Sequence, residues 1–297
     1  MQEIISEIEN LVQEFENPFL EKMFRHISQG KMLRSSLVLA IAGKTEQSIR
    51  LCAIVELIQL ASLLHDDVID ESSIRRGKSS INSIFENKSA IMLGDALYAK
   101  AFFHLSSFPA LIAQSLSHSV CQLSSGEIYD VFLSQAFNPS KEKYFLIIEQ
   151  KTASLIASSA ECAAILANLE REEYFHYGKC LGLAFQIIDD ILDLTQSQEV
   201  LGKPSMSDFR EGKTTLPYLF LFESLDLEDK ERLQSLCAKN LSTKEENWIR
   251  EKMKEKGSIE KSKHFAHKIA KDSLSMFKNP CNPKLISIID SMLERSF

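Results

Sequence analysis

Two apolar helical runs that carry aspartate triplets constrain this chain more than any other feature. The first, VELIQLASLLHDDVID, ends in Asp66, Asp67 and Asp70. The second, LAFQIIDDILDLT, holds Asp189, Asp190 and Asp193. Neither run contains Gly or Pro, and both are apolar enough to be buried on most sides. On a helix, residues i and i+4 share a face and i+1 lies beside them. The spacing therefore predicts that each triplet converges at one spot. Burying unpaired anions costs several kcal/mol each, so a cation is expected there. Carboxylates with no Cys or His in the pattern suit a hard ion such as Mg²⁺. One such triplet is common on a solvated helix face, but such faces do not have LASLL and FQII as neighbours.

Helical periodicity runs through all 297 residues, and the fold expected is all-α, one large helical domain over 1–297. Gly (10) and Pro (7) are scarce, which favours long helices over strands. Helices are predicted at 47–70, 89–106, 110–134, 141–168 and 172–196. A helix in KMLRSSLVLAIA should close at Gly43, and SSIRRGKSSIN reads as a loop. A helical layer is expected from about Leu216. The net charge of −7 argues against nucleic acid as the main partner. Six scattered cysteines without a C-x-x-C read as buried thiols in a reducing compartment. The acidic start MQEIISEIEN is not a signal peptide, and no run of 18 apolar residues predicts a membrane span. The expectation is a cytoplasmic protein with no stable membrane insertion.

Basic residues complete the pattern. Lys31 and Arg34 follow Gly30 near a helix start, where backbone N–H groups and cations favour an oxyanion. Arg75 and Arg76 come five and six residues after Asp70, placed to bridge a diphosphate to a metal. Lys151-Thr152 is read as opening a helix, and Lys203 and Lys213 sit in the polar loop after the second triplet. Each cation alone is an ordinary surface residue. Together they supply two anion pockets beside a multi-Mg²⁺ site above apolar helices. That arrangement suits a diphosphate head with a hydrocarbon tail.

In these motifs the chain resembles the trans-polyprenyl diphosphate synthases, in their medium-to-long-chain branch. The likeness rests on Gly30-Lys31-x-x-Arg34, LLHDDVID with Arg75-Arg76-Gly77, and Gly94-Asp95-Ala96-Leu97. It continues in Ser125-Gly126-Glu127, Lys151-Thr152, Gln186 with IIDDILD, and DFREGKTTLP. The resemblance implies a homodimer whose subunits each enclose a central cavity, with the two Asp motifs facing each other across its mouth. It implies that Asp66, Asp67, Asp70, Asp189, Asp190 and Asp193 hold Mg²⁺, three ions per site, against an allylic diphosphate. Arg75, Lys151, Lys213 and Lys203 would contact that diphosphate, and Lys31, Arg34 and Arg76 would hold isopentenyl diphosphate. Thr152, Gln186 and backbone carbonyls would stabilise an allylic cation. The family usually has His seven residues before Asp66; here it is Gln59, which can donate a hydrogen bond but carries no charge. His65 is read as packing beside the ligands or supporting them, not as a ligand itself.

Product length is read from the helix before Asp66, which descends about 5.4 Å per turn, on the order of one isoprene unit. Ala61 and Ser62 are small, so the tail should pass the first turns. Its floor is expected from a facing aromatic: Phe132 first, Phe102 or Phe103 otherwise. The expectation is six to eight isoprene units, octaprenyl as the single choice, with geranylgeranyl length as the alternative. A helical metal phosphohydrolase, prompted by His65-Asp66, needs more His ligands than His26 and His65. A terpene cyclase does not account for the second triplet and the Lys31/Arg34 pocket. A non-catalytic partner subunit would be expected to have lost its Asp motifs.

Overall fold

The computed structural model describes residues 1–196, 205–278 and 282–294. In chain order the helices are α1 (Gln2–Gln13), α2 (Pro18–Phe24), α3 (Leu33–Ala42) and α4 (Glu46–Ile69). A hairpin of β1 (Ile74–Arg75) and β2 (Lys78–Ser79) follows, then α5 (Ile81–Leu105), broken at Glu86, and α6 (Ala110–Leu133). Next are α7 (Lys141–Ile148), a π-helical turn (Glu149–Ala153), α8 (Ser154–Leu166) and α9 (Arg171–Thr195). The remainder comprises α10 (Ser207–Arg210), α11 (Leu216–Ser224), α12 (Leu227–Leu236), α13 (Thr243–Lys256), α14 (Ser258–Asp272) and α15 (Pro283–Leu293). The all-α expectation holds. Contacts group the chain into two compact units, built mainly from Met1–Cys121 with Leu155–Gly178, and from Gln122–Ser154 with Lys179–Lys278.

In the first unit α4 is the central element. Thr45 opens it with a capping box shared with Ser48. Every residue from Leu51 to Ile58 is buried, so neighbours surround the helix on all sides. Each such Leu or Ile contributes about 1.5–3 kcal/mol by leaving water. Contrary to expectation, α4 is long and apolar enough by length and composition to cross a membrane. Its burial accounts for that composition without a bilayer. The second unit packs around Met206, Phe209, Tyr218, Leu221, Leu233, Ile249 and Met253, with Phe209 stacked on Tyr218 at 4.1 Å.

Three local departures matter for the site. Lys31 lies before α3 rather than on it: Met32 takes a left-handed conformation (φ 49°) and only Arg34 falls in the first turn. The segment expected as a plain loop forms an antiparallel hairpin pairing Ile74 with Ser79 and Arg75 with Lys78. Its two-residue turn, Arg76-Gly77, has φ of 54° and 73°, as tight hairpins whose strands twist right-handedly require. Finally, Lys151-Thr152 does not open a helix. Both lie inside the π turn midway along a continuous helix from Lys141 to Leu166.

Candidate active site

In the first unit the hairpin turn sends adjacent arginines to different partners. Arg75 Nε donates to Asp67 Oδ1 at 2.6 Å, while Arg76 Nη1 donates to the Ser28 carbonyl at 2.7 Å. Gly30 makes the second contact possible: a Cβ there would lie 2.7 Å from Arg76 Nη2. A narrow cleft lined by Ser28, Leu60, Leu63, Leu64, Asp67, Arg75 and Arg76 joins these groups. Burial raises the Asp67 pKa against the lowering influence of Arg75. Asp66 and Asp70 are half-buried beside it.

Arg34 makes no ion pair within contact distance among the described residues, although Glu56 acts on it from further off. Among the described residues nothing hydrogen-bonds to it, and its Nε is shut from water without a partner. Burial lowers its pKa to about 10, partly offset by Glu56 and reinforced by Arg76. Glu56 is itself 8% exposed and accepts from Ser35 Oγ at 2.6 Å. A half-buried guanidinium whose Nε is shut from water with no acceptor marks a place where an anion belongs. Lys31 is exposed on the adjoining loop, and Gln59 is half-buried on α4.

The second unit gathers most of the remaining predicted residues around a cavity of about 150 Å³, lined by Tyr144, Lys151, Thr152, Gln186, Asp190, Asp208 and Lys213 among others. A hydrogen-bond chain orders its floor. Thr152 Oγ1 donates to Gln186 Oε1 at 2.7 Å, and Gln186 Nε2 donates to Asp190 Oδ1 at 2.9 Å. Tyr144 Oη donates to Asp190 Oδ2 at 2.6 Å. Asp190 is 3% exposed, and burial, then repulsion from Asp208, pushes its pKa up to about 8. Lys151 is clamped by Glu127 at 2.7 Å and Asp130 at 2.6 Å. The π turn that aims Lys151 and Thr152 depends on two close approaches. A Cβ at Gly126 would lie 2.8 Å from the Lys151 amide, and one at Gly182 would lie 2.5 Å from the Ala153 Cα. Such π bulges recur at functional sites. Lys213 pairs with Glu211 at 2.8 Å, and Asp189 is exposed.

Several expectations need correction. No three His, Cys, Asp or Glu side chains among the described residues stand close enough to hold an ion unaided. Asp67 is engaged by Arg75, and Asp190 by Tyr144 and Gln186. Asp193 turns inward: it accepts from Ser207 Oγ at 2.7 Å and the Asp208 amide at 3.3 Å, capping α10. Phe132 is 69% exposed and cannot be an enclosed floor. On α6 the face bearing Leu123, Gly126 and Asp130 is the buried one, so Ile128 and Phe132 point outward. Phe103 is likewise exposed and Phe102 half-buried. Ala61 and Ser62 are buried, but Ser62 lies opposite the α4 face of Leu60, Leu63 and Leu64 that lines the cleft. Lys203 lies outside the described residues. His65 packs against Gly94 and Tyr98 with its Nε2 3.3 Å from Asp95 Oδ1 and 3.2 Å from the Ile91 carbonyl, and His26 bonds the Lys22 carbonyl. Glu56, Tyr144, Asp208 and Asp130 were missed. An acid inside LCAIVELIQ was the available signal for Glu56, and Asp208 opens the DFREGKTTLP motif without having been given a role; Tyr144 and Asp130 had no signal beyond proximity to motifs.

A profile of the polyprenyl synthetase family matches residues 17–254. The chain belongs to that family. The synthase is 35% identical over 289 residues to a prenyl transferase of Cyanidium caldarium, covering 92% of this chain and 88% of that one. Its fold superimposes with a TM-score of 0.93 on an octaprenyl pyrophosphate synthase of Helicobacter pylori, at 45% identity over 98% and 97% of the two chains. A Caulobacter crescentus polyprenyl synthase complexed with calcium and isoprenyl diphosphate matches at TM-score 0.88 and 30% identity, over 99% and 94%. The synthase is thus a prenyltransferase. Names among the matches run from geranylgeranyl to decaprenyl, so they leave the product length of this synthase open.

The donor set fits a divalent cation. Asp190 is a buried carboxylate that accepts from the neutral donors Tyr144 and Gln186, and burial with the nearby Asp208 raises its pKa, as expected where a cation is missing. Hard ions such as Mg²⁺ take one or two carboxylates and complete their shell with substrate phosphate oxygens. That is why three preassembled protein ligands are not required.

Proposed function

We propose that the synthase extends an allylic diphosphate with successive isopentenyl diphosphates, in the cytoplasm, to a product of six to eight isoprene units. The observation that carries this reading is Arg34, a half-buried guanidinium whose Nε has no acceptor. A hydrolase or cyclase needs one diphosphate pocket; a chain-extending enzyme needs two. Arg34, Lys31 and Arg76 supply the second pocket, with Gln59 as a neutral donor.

In the first pocket Mg²⁺, three ions in all, would neutralise the departing pyrophosphate. Asp66, Asp67, Asp70, Asp189 and Asp190 would hold them. Arg75, Lys151 and Lys213 leave their carboxylate partners to contact the diphosphate oxygens. The allylic C–O bond breaks and pyrophosphate carries away the electron pair. Thr152 donates its proton to Gln186, leaving its oxygen lone pairs for the electron-poor carbon. The isopentenyl double bond attacks that carbon, and a proton passes to pyrophosphate. The protein needs no general base of its own. A homodimer is part of this reading, supported by the exposed apolar side chains Met92, Phe103 and Leu111 on α5 and α6.

Radiolabelled isopentenyl diphosphate, an allylic primer and Mg²⁺ test it. Label should enter lipid-soluble product, and chromatography sizes the chain. Release of water-soluble phosphate without extractable product would defeat the reading.

A further inference from the structure

The helices after Leu216 had no chemical role in the sequence. Two arginines tie one of them, α13, to the second aspartate motif. Arg250 of α13 donates from Nη1 to the Leu194 carbonyl and from Nη2 to Ser205 Oγ at 2.9 Å. Arg210 of α10 reaches the other way, pairing with Glu246 of α13 and donating to the Leu241 carbonyl at 3.4 Å. Leu194 directly follows Asp193 near the end of α9, where carbonyls lack helical partners and a cation is favoured. Ser205 directly precedes Met206, whose amide donates to the Asp193 carbonyl at 2.9 Å. The Lys213 amide then closes on the Asp208 carbonyl at 2.8 Å. Ile249 and Met253 on either side of Arg250 are at most 1% exposed, so its backbone is fixed in the core.

We propose that Arg250 is a positioning residue for the second aspartate site. Its guanidinium pins the last turn of α9 to the turn Ser205–Asp208. That sets where Asp189, Asp190 and Asp208 stand relative to one another. The inference rests on the reading of these carboxylates as holding a divalent cation. Groups that orient metal-binding carboxylates typically change metal affinity by 10- to 100-fold when lost.

Arg250→Met removes both hydrogen bonds at similar volume. Mn²⁺ binding, followed by the paramagnetic signal of the free ion with inorganic pyrophosphate present, should weaken by about 10-fold. Hydrogen exchange at the Met206 and Lys213 amides should accelerate in the metal-free protein. The KM for isopentenyl diphosphate should stay within about twofold, since neither hydrogen bond of Arg250 involves Lys31, Arg34 or Arg76. Arg232→Met, which removes the guanidinium stacked on Trp248 at 4.2 Å in the same layer, controls for lost stability and should leave Mn²⁺ binding unchanged. If Arg250→Met does not fold, Ser205→Ala and Arg250→Lys serve instead, each with a smaller loss of Mn²⁺ binding. Unaltered binding in the folded variants, or an equal loss in Arg232→Met, overturns the proposal. A wild-type chain that binds no Mn²⁺ beside pyrophosphate overturns the metal-site reading beneath it.

Discussion

Gly30→Ala separates substrate binding from stability. Gly30 has no positive φ, so the backbone accepts Ala without strain. The new methyl would lie 2.7 Å from Arg76 Nη2 and 3.0 Å from Nη1. Ordinary contact begins near 3.4 Å, so the guanidinium must retreat by 3.4 − 2.7, about 0.7 Å. That retreat disrupts the 2.7 Å hydrogen bond to the Ser28 carbonyl, which fixes the side chain. A hydrogen bond from the guanidinium to a diphosphate oxygen is worth about 1.5–3 kcal/mol, and a displaced Arg76 loses it. At about 1.4 kcal/mol per tenfold, the KM for isopentenyl diphosphate should rise about 10- to 150-fold. Folding stability should stay within about 1 kcal/mol, because Ala for Gly also narrows the unfolded ensemble. The assay is steady-state kinetics with each substrate varied in turn, alongside thermal melting. An unchanged KM for isopentenyl diphosphate in a folded variant refutes the placement of Arg76. An equal rise in the allylic KM refutes the separation of the two pockets.

The remaining predictions follow from the second unit and from α4. Asp190 has a folded pKa raised to about 8, so it binds its proton more tightly folded than unfolded. Its contribution to stability is full below the ordinary carboxylate range and is lost as pH rises through about 8. The metal-free wild type should therefore lose stability relative to Asp190→Asn as melts move from acid to pH 9; parallel curves would contradict this. Gly182→Ala brings a methyl 2.5 Å from the Ala153 Cα, a backbone atom that cannot step aside. It should lower stability by about 1–3 kcal/mol and reduce kcat through the π turn, and an unperturbed melt would rule out that packing. Ala61→Phe should shorten the products extracted from the radiolabel assay, and an unchanged distribution would remove Ala61 from the cavity wall.

The helices were legible because their causes are local. The run before Asp66 has no Gly or Pro, and α4 ends at Ile69 with Asp70 closing it. Gly43 stops α3 in a positive-φ conformation, as its position suggested. The motif residues were legible too, since spacing alone places Asp66 beside Asp67 and Gln186 one turn before Asp190. Which partner each one takes was not legible. Arg75 and Arg76 are neighbours in sequence, yet the hairpin turn divides them between Asp67 and Ser28. Phe132 was misplaced because the buried face of α6 is chosen by Gly126 meeting the π turn.

The amino-acid order by itself determined an all-helical chain, the two acidic motifs and the family they signal, because periodicity and spacing act within one or two turns. The tertiary structure decided which charges are paired and which are left open. Asp193 became a cap, Lys151 a clamped ammonium and Arg34 a half-buried cation whose Nε has no acceptor. Those outcomes depend on side chains distant in sequence, such as Ser207, Glu127 and Glu56. Only packing brings such groups within the few ångströms over which charge and hydrogen bonding operate.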